Sequence, residues 1–80
     1  MRNEIYSEEH VRLRTALRRE RKSAGLRQIE IAKKTNRSQA YISKFENGDL
    51  RLDVVDFVKI CEAIGCDPVV LLQEVFELKK

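Results

Sequence analysis

Apolar residues recur along this chain at three- and four-residue intervals, and short polar stretches carrying glycine, asparagine or proline interrupt them. That is the pattern of successive amphipathic helices rather than of strands, whose side chains alternate at every second residue. The first expected helix follows Ser7, an N-cap residue, with Glu8 and Glu9 in the first turn where the helix dipole favours acids. Tyr6 before the cap and Val11 inside it are spaced as a hydrophobic staple. Leu13, Leu17 and Ala24 continue the stripe, Arg21 lies on it between them, and Gly25 stands where a left-handed C′ residue closes the helix.

The stretch Gln28 to Gly48 reads as two short helices meeting at a tight turn. Gln28 to Thr35 sets Ile31, Ala32 and Thr35 on one face; Gln39 to Asn47 buries Ile42 and Phe45 at i, i+3. Neither is long enough to be stable alone, so each must be locked on the other. Asn36 sits in the turn where positive φ is needed, and asparagine tolerates it best after glycine. Ser38 caps the second of the pair and Gly48 ends it. Arg27 occupies the cap position of the first, where a side chain without an acceptor costs about 1 kcal/mol relative to serine or threonine. Glu30 in the first turn offsets part of that through the dipole.

A fourth helix is expected over 53–64, capped by Asp53 with Asp56 at N3, and Val54, Phe57, Val58, Cys61 and Ile64 as its buried stripe. Gly65 stops it. Asp67 caps a fifth over 68–78, with Pro68 at the first position, where a missing N–H costs nothing. Pro68, Leu71 and Val75 face the core in this reading, while Val69, Leu72 and Phe76 form a second apolar stripe. An edge helix of a small domain does not need two buried faces, so the second is read as a contact between two copies. The alternatives are a wider core or packing against Ile5 and Tyr6. The expected fold class is all-α, a compact five-helix domain over residues 7–78, after an N-terminal arm at 1–6.

At 80 residues the chain makes one small domain, burying about 60–65% of its unfolded surface. No apolar run reaches the roughly 20 residues of a membrane span. Acids at Glu4, Glu8 and Glu9 stand where a secretory signal has its apolar segment, so no export and a cytoplasmic location are expected. Cys61 and Cys66 form neither a metal-ligand spacing nor a disulfide framework and are read as reduced core residues, with redox sensing as the alternative. The net charge of +3 hides an asymmetry: residues 1–51 hold 13 Lys/Arg and 7 Asp/Glu, and residues 52–80 hold 3 and 6. A basic front and an acidic back suit a protein that meets a polyanion on one side. Catalysis is not expected: His10, the single histidine, has no nucleophile pattern or glycine-rich phosphate loop beside it. No metal or other cofactor is expected either.

Leu26-Arg27-Gln28, Ala32, Ser38-Gln39, Ile42-Ser43-Lys44 and Glu46-Asn47-Gly48 together resemble the helix-turn-helix domain of phage repressors, Cro proteins and the wider XRE family. The likeness covers about residues 10–73 and extends to Ala63-Ile64-Gly65 and Pro68 to Leu72. Arg27 departs from the usual small capping hydroxyl, Asn36 from the usual glycine, and Cys61 from a small alanine-like residue. The resemblance implies a DNA-binding regulator of transcription, dimeric on a short palindromic operator, with the helix-turn-helix at 28–47. Its base-reading positions match Gln39, Ala40 and Lys44, with Ser38 and Ser43 beside them. Its phosphate-holding positions match Arg27, Gln28 and Asn47. Its helix-tying salt bridge matches Arg21 and Glu46.

The residues themselves are suited to these tasks. With Ile42 inward, a rotation of 100° per residue points Ala40 outward and sets Ser43 and Lys44 beside it. Gln39 can pair bidentately with adenine, Lys44 can reach guanine O6 and N7, and Ala40 offers a methyl-sized contact to thymine. Gln28 and Arg27 stand at a helix N-terminus, a natural anion site. Arg37 in the turn and Tyr41 at the helix edge are further phosphate candidates. Double-stranded DNA, entered through the major groove, is thus the expected partner, with a second copy of the chain. The alternative is an antitoxin or controller protein of a toxin-antitoxin or restriction-modification operon, which also grips a protein partner.

Overall fold

The computed structural model describes residues 7–78, and within them the chain forms five helices and no strand: α1 (Glu8–Ser23), α2 (Gln28–Thr35), α3 (Gln39–Asn47), α4 (Val54–Ile64) and α5 (Pro68–Phe76). The expected arm at 1–6, the Tyr6 staple and packing against Ile5 lie outside the described residues. Four of the five helices start on a side chain that accepts backbone hydrogens: Ser7 from His10, Ser38 from Tyr41, Asp53 from Asp56, and Asp67 from Val69 and Val70. These bonds satisfy amides that have no partner inside the helix.

Arg27 has no acceptor to offer, so α2 starts on half a capping box. The Glu30 carboxylate reaches back to the Arg27 N–H at 2.7 Å. Sequence reading credited Glu30 with a dipole effect only; the direct bond explains better how α2 tolerates an arginine at its cap. Asn36 takes the left-handed conformation at φ 60°, where a residue other than asparagine or glycine would be strained.

The core is built from one face of every helix: Ala16 and Leu17 from α1, Ile31 and Ala32 from α2, Ile42 and Phe45 from α3, Phe57, Ile60 and Cys61 from α4, Leu71 and Val75 from α5. α2 packs on both α3 and α4, while α1 lies across α3, α4 and α5. Leu13, Leu52, Val58, Ile64, Cys66 and Leu72 are half-buried around this centre. The Thr35 hydroxyl is buried and bonds back to the Ile31 carbonyl at 2.9 Å.

Three details differ from the sequence expectation. Val54, the first helical residue of α4, is 77% exposed and not part of the buried stripe. Ala24 is the exposed C-cap of α1, and the buried alanine of that helix is Ala16. The fifth helix ends at Phe76 rather than 78: Glu77 turns left-handed at φ 56° and the Leu78 N–H bonds the Gln73 carbonyl at 3.1 Å. That is a Schellman-type closure formed without glycine.

Surface ion pairs tie the last helix to the first. Arg19 grips Glu74 through two bonds of 2.7 and 3.0 Å, and Arg12 lies 3.6 Å from Glu77. Both pairs are solvent-exposed and add little stability individually. They do set the register of α5 on α1. Among the described residues, no helix is long and apolar enough to cross a membrane.

Candidate nucleic-acid interface

The α2–turn–α3 unit presents one polar surface. Ser38, Gln39 and Ala40 at the start of α3 are exposed, as are Lys44 and Asn47; Ser43 is half-buried. All six lie away from Ile42 and Phe45, which hold α3 in the core. The base-directed set named from sequence therefore lies together on one accessible face. Ser38 has a second task there, because its hydroxyl accepts the Tyr41 N–H at 3.1 Å and starts the helix. Asn47 Nδ2 points to Ser43 Oγ at 3.4 Å, a weak contact that leaves its amide accessible.

The rear of this unit is held by a buried ion pair. Arg21 of α1 donates from Nε and Nη2 to the two carboxylate oxygens of Glu46 of α3, at 2.7 and 2.9 Å. The Arg21 side chain is 10% exposed and that of Glu46 is 4% exposed. Arg21 Nη1 also donates to the Leu26 carbonyl at 2.8 Å, in the loop that leads into α2. Gln28 Nε2 adds a third bond to Glu46, at 3.0 Å. One ion pair thus gathers α1, the α1–α2 loop, the head of α2 and α3. Gln28 is consequently not an idle surface amide: one N–H is committed to Glu46, which orients the group at the half-exposed N-terminus of α2. Arg27 beside it is exposed, 3.6 Å from Glu30.

Gly48, which closes α3 at φ 85°, is overlain by the Arg14 guanidinium: a β-carbon there would stand 2.7 Å from its central carbon. A basic side chain from the middle of α1 is in this way laid over the end of α3.

Two of the phosphate candidates have a partner within the chain. Arg37, exposed in the turn, and the half-buried Tyr41 are both held by Asp56 of α4. Arg37 Nη2 donates to the two Asp56 oxygens at 2.9 and 2.7 Å, and Nε adds a longer bond of 3.3 Å. The Tyr41 hydroxyl donates to Asp56 Oδ2 at 2.8 Å, and the Arg37 guanidinium lies 4.5 Å above the Tyr41 ring. Burial acts to raise the Asp56 pKa, but the bonds from Arg37 and Tyr41 outweigh it and hold the carboxyl below its ordinary value. Burial first, and then the bond to Asp56, push the Tyr41 hydroxyl up to about 12. Sequence separation hides this contact: residue 56 lies a helix and a loop away, and only the packing of α4 on α2 places it beside the turn. Asp56 itself carried a signal as the N3 residue of α4, but one that spoke of capping alone.

Cys61 is fully buried and Cys66 half-buried, both as free thiols. Burial chiefly, and then the neighbouring Cys66, push the Cys61 thiol up to about 12. A thiol so far from ionisation is a poor nucleophile, which fits core packing better than redox sensing. On α5, Val69 is 62% and Phe76 42% exposed, and Val70 stands open beside them, while Leu72 packs partly on the core.

A helix-turn-helix family model matches residues 17–71 of the chain. Among solved structures, the chain is similar to an XRE-family like protein from Pseudomonas syringae pv. tomato, at TM-score 0.78 and 38% identity over 85% of each chain. It is similar to the clp gene regulator ClgR from C. glutamicum, at TM-score 0.75 and 27% identity over 82% of this chain and 86% of that one. It also shares the fold of a mutant restriction-modification controller protein, at TM-score 0.82 and 22% identity over 89% of this chain and 95% of that one. No curated protein sequence matches it.

Proposed function

The chain belongs to the XRE family of helix-turn-helix DNA-binding transcriptional regulators, and from that premise we propose that it acts as a dimer on a short palindromic operator, reading bases through α3. In this reading Gln39, Ala40 and Lys44 meet base edges in the major groove, with Ser38 and Ser43 beside them. Arg27, Gln28 and Asn47 hold phosphates on either side. The observation that carries it is the division of α3 into two faces. One is locked by Ile42, Phe45 and the Glu46 ion pair; the other presents exposed Gln39, Ala40, Lys44 and Asn47. A helix pinned from behind by a buried salt bridge holds its outward side chains in fixed directions, which discrimination among bases requires. The protein works by binding, without a catalytic step or a cofactor, and in the cytoplasm.

Dimerisation through α5 accords with the exposed Val69 and Phe76, apolar positions that a single copy leaves in water. Two copies related by a two-fold axis would put their recognition helices about 34 Å apart, one turn of DNA. The same apolar face supports a second reading, in which it grips a protein partner as an antitoxin or operon controller does; co-purification of a basic protein would favour that one.

Selection of bound sites from a random duplex pool tests the primary reading. A recovered palindrome, bound with affinity that falls steeply with salt at about −0.9 in log–log slope per phosphate neutralised, is the expected result. Lys44→Ala should then relax preference at one position by about 1–3 kcal/mol. Equal weakening on all sequences would make Lys44 a phosphate contact instead, and failure to enrich any sequence would refute the reading.

A further inference from the structure

Arg37 immediately precedes Ser38, the cap of α3, and so stands at the end of the recognition helix that enters the groove first. A cation at this place lies level with the phosphate backbone. Yet Nε and Nη2 are spent on Asp56, the arginine plane is stacked on Tyr41, and the Tyr41 hydroxyl is spent on the same carboxylate. Asp56 is itself held in place: it is 6% exposed, and its N–H donates to Asp53 Oδ1 at 2.8 Å. The carboxylate is enclosed, with 8% of its side chain exposed, whereas the Arg37 side chain remains 44% exposed. The acid is thus the rigid member of the pair and the arginine the member with room to move.

We propose that Asp56 is a positioning residue that restrains DNA binding: from α4 it neutralises Arg37 and fixes Tyr41, so the leading end of α3 meets DNA without an added phosphate-directed charge. Non-specific affinity, which is almost wholly electrostatic, is thereby kept low, and the bases read by α3 carry a larger share of the discrimination. The inference rests on the reading of α3 as the base-contacting helix.

The test compares the unsubstituted chain, Asp56→Asn and the double variant Arg37→Met/Asp56→Asn. Each is titrated against its selected operator and against a mixed-sequence duplex over a salt series, with helicity checked by circular dichroism. Asp56→Asn keeps the shape and releases the arginine. Its non-specific binding should tighten and its salt slope steepen by about 0.9, a further loss of about 3.5-fold between 50 and 200 mM salt. The ratio of specific to non-specific affinity should fall. The double variant has the net charge of the parent, and its non-specific slope should return to the parental value. A double variant with a slope about 0.9 shallower than the parent would mean that Arg37 already neutralises a phosphate. That result overturns the proposal and needs no folded Asp56→Asn. An unchanged slope in folded Asp56→Asn overturns it as well. If the unsubstituted chain binds no duplex at all, the reading of α3 fails, and this inference with it.

Discussion

Replacing Glu46 with glutamine should remove a large share of the stability this domain has. The Glu46 carboxylate accepts three bonds, at 2.7 and 2.9 Å from Arg21 and 3.0 Å from Gln28, with 4% of its side chain exposed. Glutamine fills the same space but carries no charge, and it keeps one oxygen as acceptor while its NH2 turns donors toward a guanidinium that is itself only donors. Arg21 is then a buried cation with no opposing charge, held only by neutral acceptors such as the Leu26 carbonyl, a situation that costs about 3–5 kcal/mol. A chain of 80 residues has about 4–12 kcal/mol in total. A loss of about 4 kcal/mol at 4–8 °C per kcal/mol lowers the melting temperature by about 16–32 °C. Arg21→Met should cost a similar amount, since it strands the carboxylate. The double variant Arg21→Met/Glu46→Leu should cost much less than the two single losses together, because it strands no charge; what remains is the lost partner of Gln28 and of the Leu26 carbonyl, about 1–3 kcal/mol each. Urea unfolding followed by circular dichroism measures all of these. Two single variants each within about 1 kcal/mol of the parent, or a double variant equal to the sum, would refute the reasoning.

Other outcomes follow from the same geometry. Gly48→Ala should cost about 1–2 kcal/mol in a denaturant melt, because alanine resists φ 85°; the Arg14 side chain can move from its 2.7 Å approach, so a much larger loss would point to another cause. Stability should decline as pH rises from about 9 toward 12. Cys61 and Tyr41 have ordinary values of 9.0 and 10.0 but stay protonated to about 12 in the folded state, so the unfolded chain releases its protons first and gains from alkali. A denaturant midpoint flat from pH 8 to 11 would contradict this. Phe76→Lys, at an exposed α5 position, should yield monomers in sedimentation and a melting temperature that no longer depends on protein concentration; a variant with the parental assembly state would argue against Phe76 in the interface.

Much of the fold was legible because its signals are local. Ser7, Ser38, Asp53 and Asp67 each name a helix start, Gly25, Gly48 and Gly65 each name a stop, and the i, i+3 and i+4 apolar spacing between them names the buried side. A cap bond spans three residues and a helical stripe repeats within four, so neighbouring residues suffice to specify both. Even the polar face of α3 follows once Ile42 is placed inward, since rotation along the helix does the rest. Boundaries were less legible where no such residue stands. Nothing at Phe76 announces the end of α5, and the left-handed Glu77 is an uncommon choice for that turn.

What the sequence alone determined, then, is the set of five helices, the turn at Asn36 and the surface that α3 turns outward. Only tertiary structure decided how the charges of that surface are used. Arg37 and Asp56 are 19 residues apart, Arg21 and Glu46 are 25 apart, and Arg19 and Glu74 are 55 apart. No local rule couples such positions; the packing of α4 on α2, and of α1 on α3 and α5, brings them within 3 Å of each other. An arginine in a turn looks from sequence like a cation offered to solvent, and whether a carboxylate faces it depends on the whole chain. Arg27 remains exposed, and Arg37, ten residues on, is held by a carboxylate. That difference is set by the placement of α4, which brings a buried carboxylate to one arginine and not to the other.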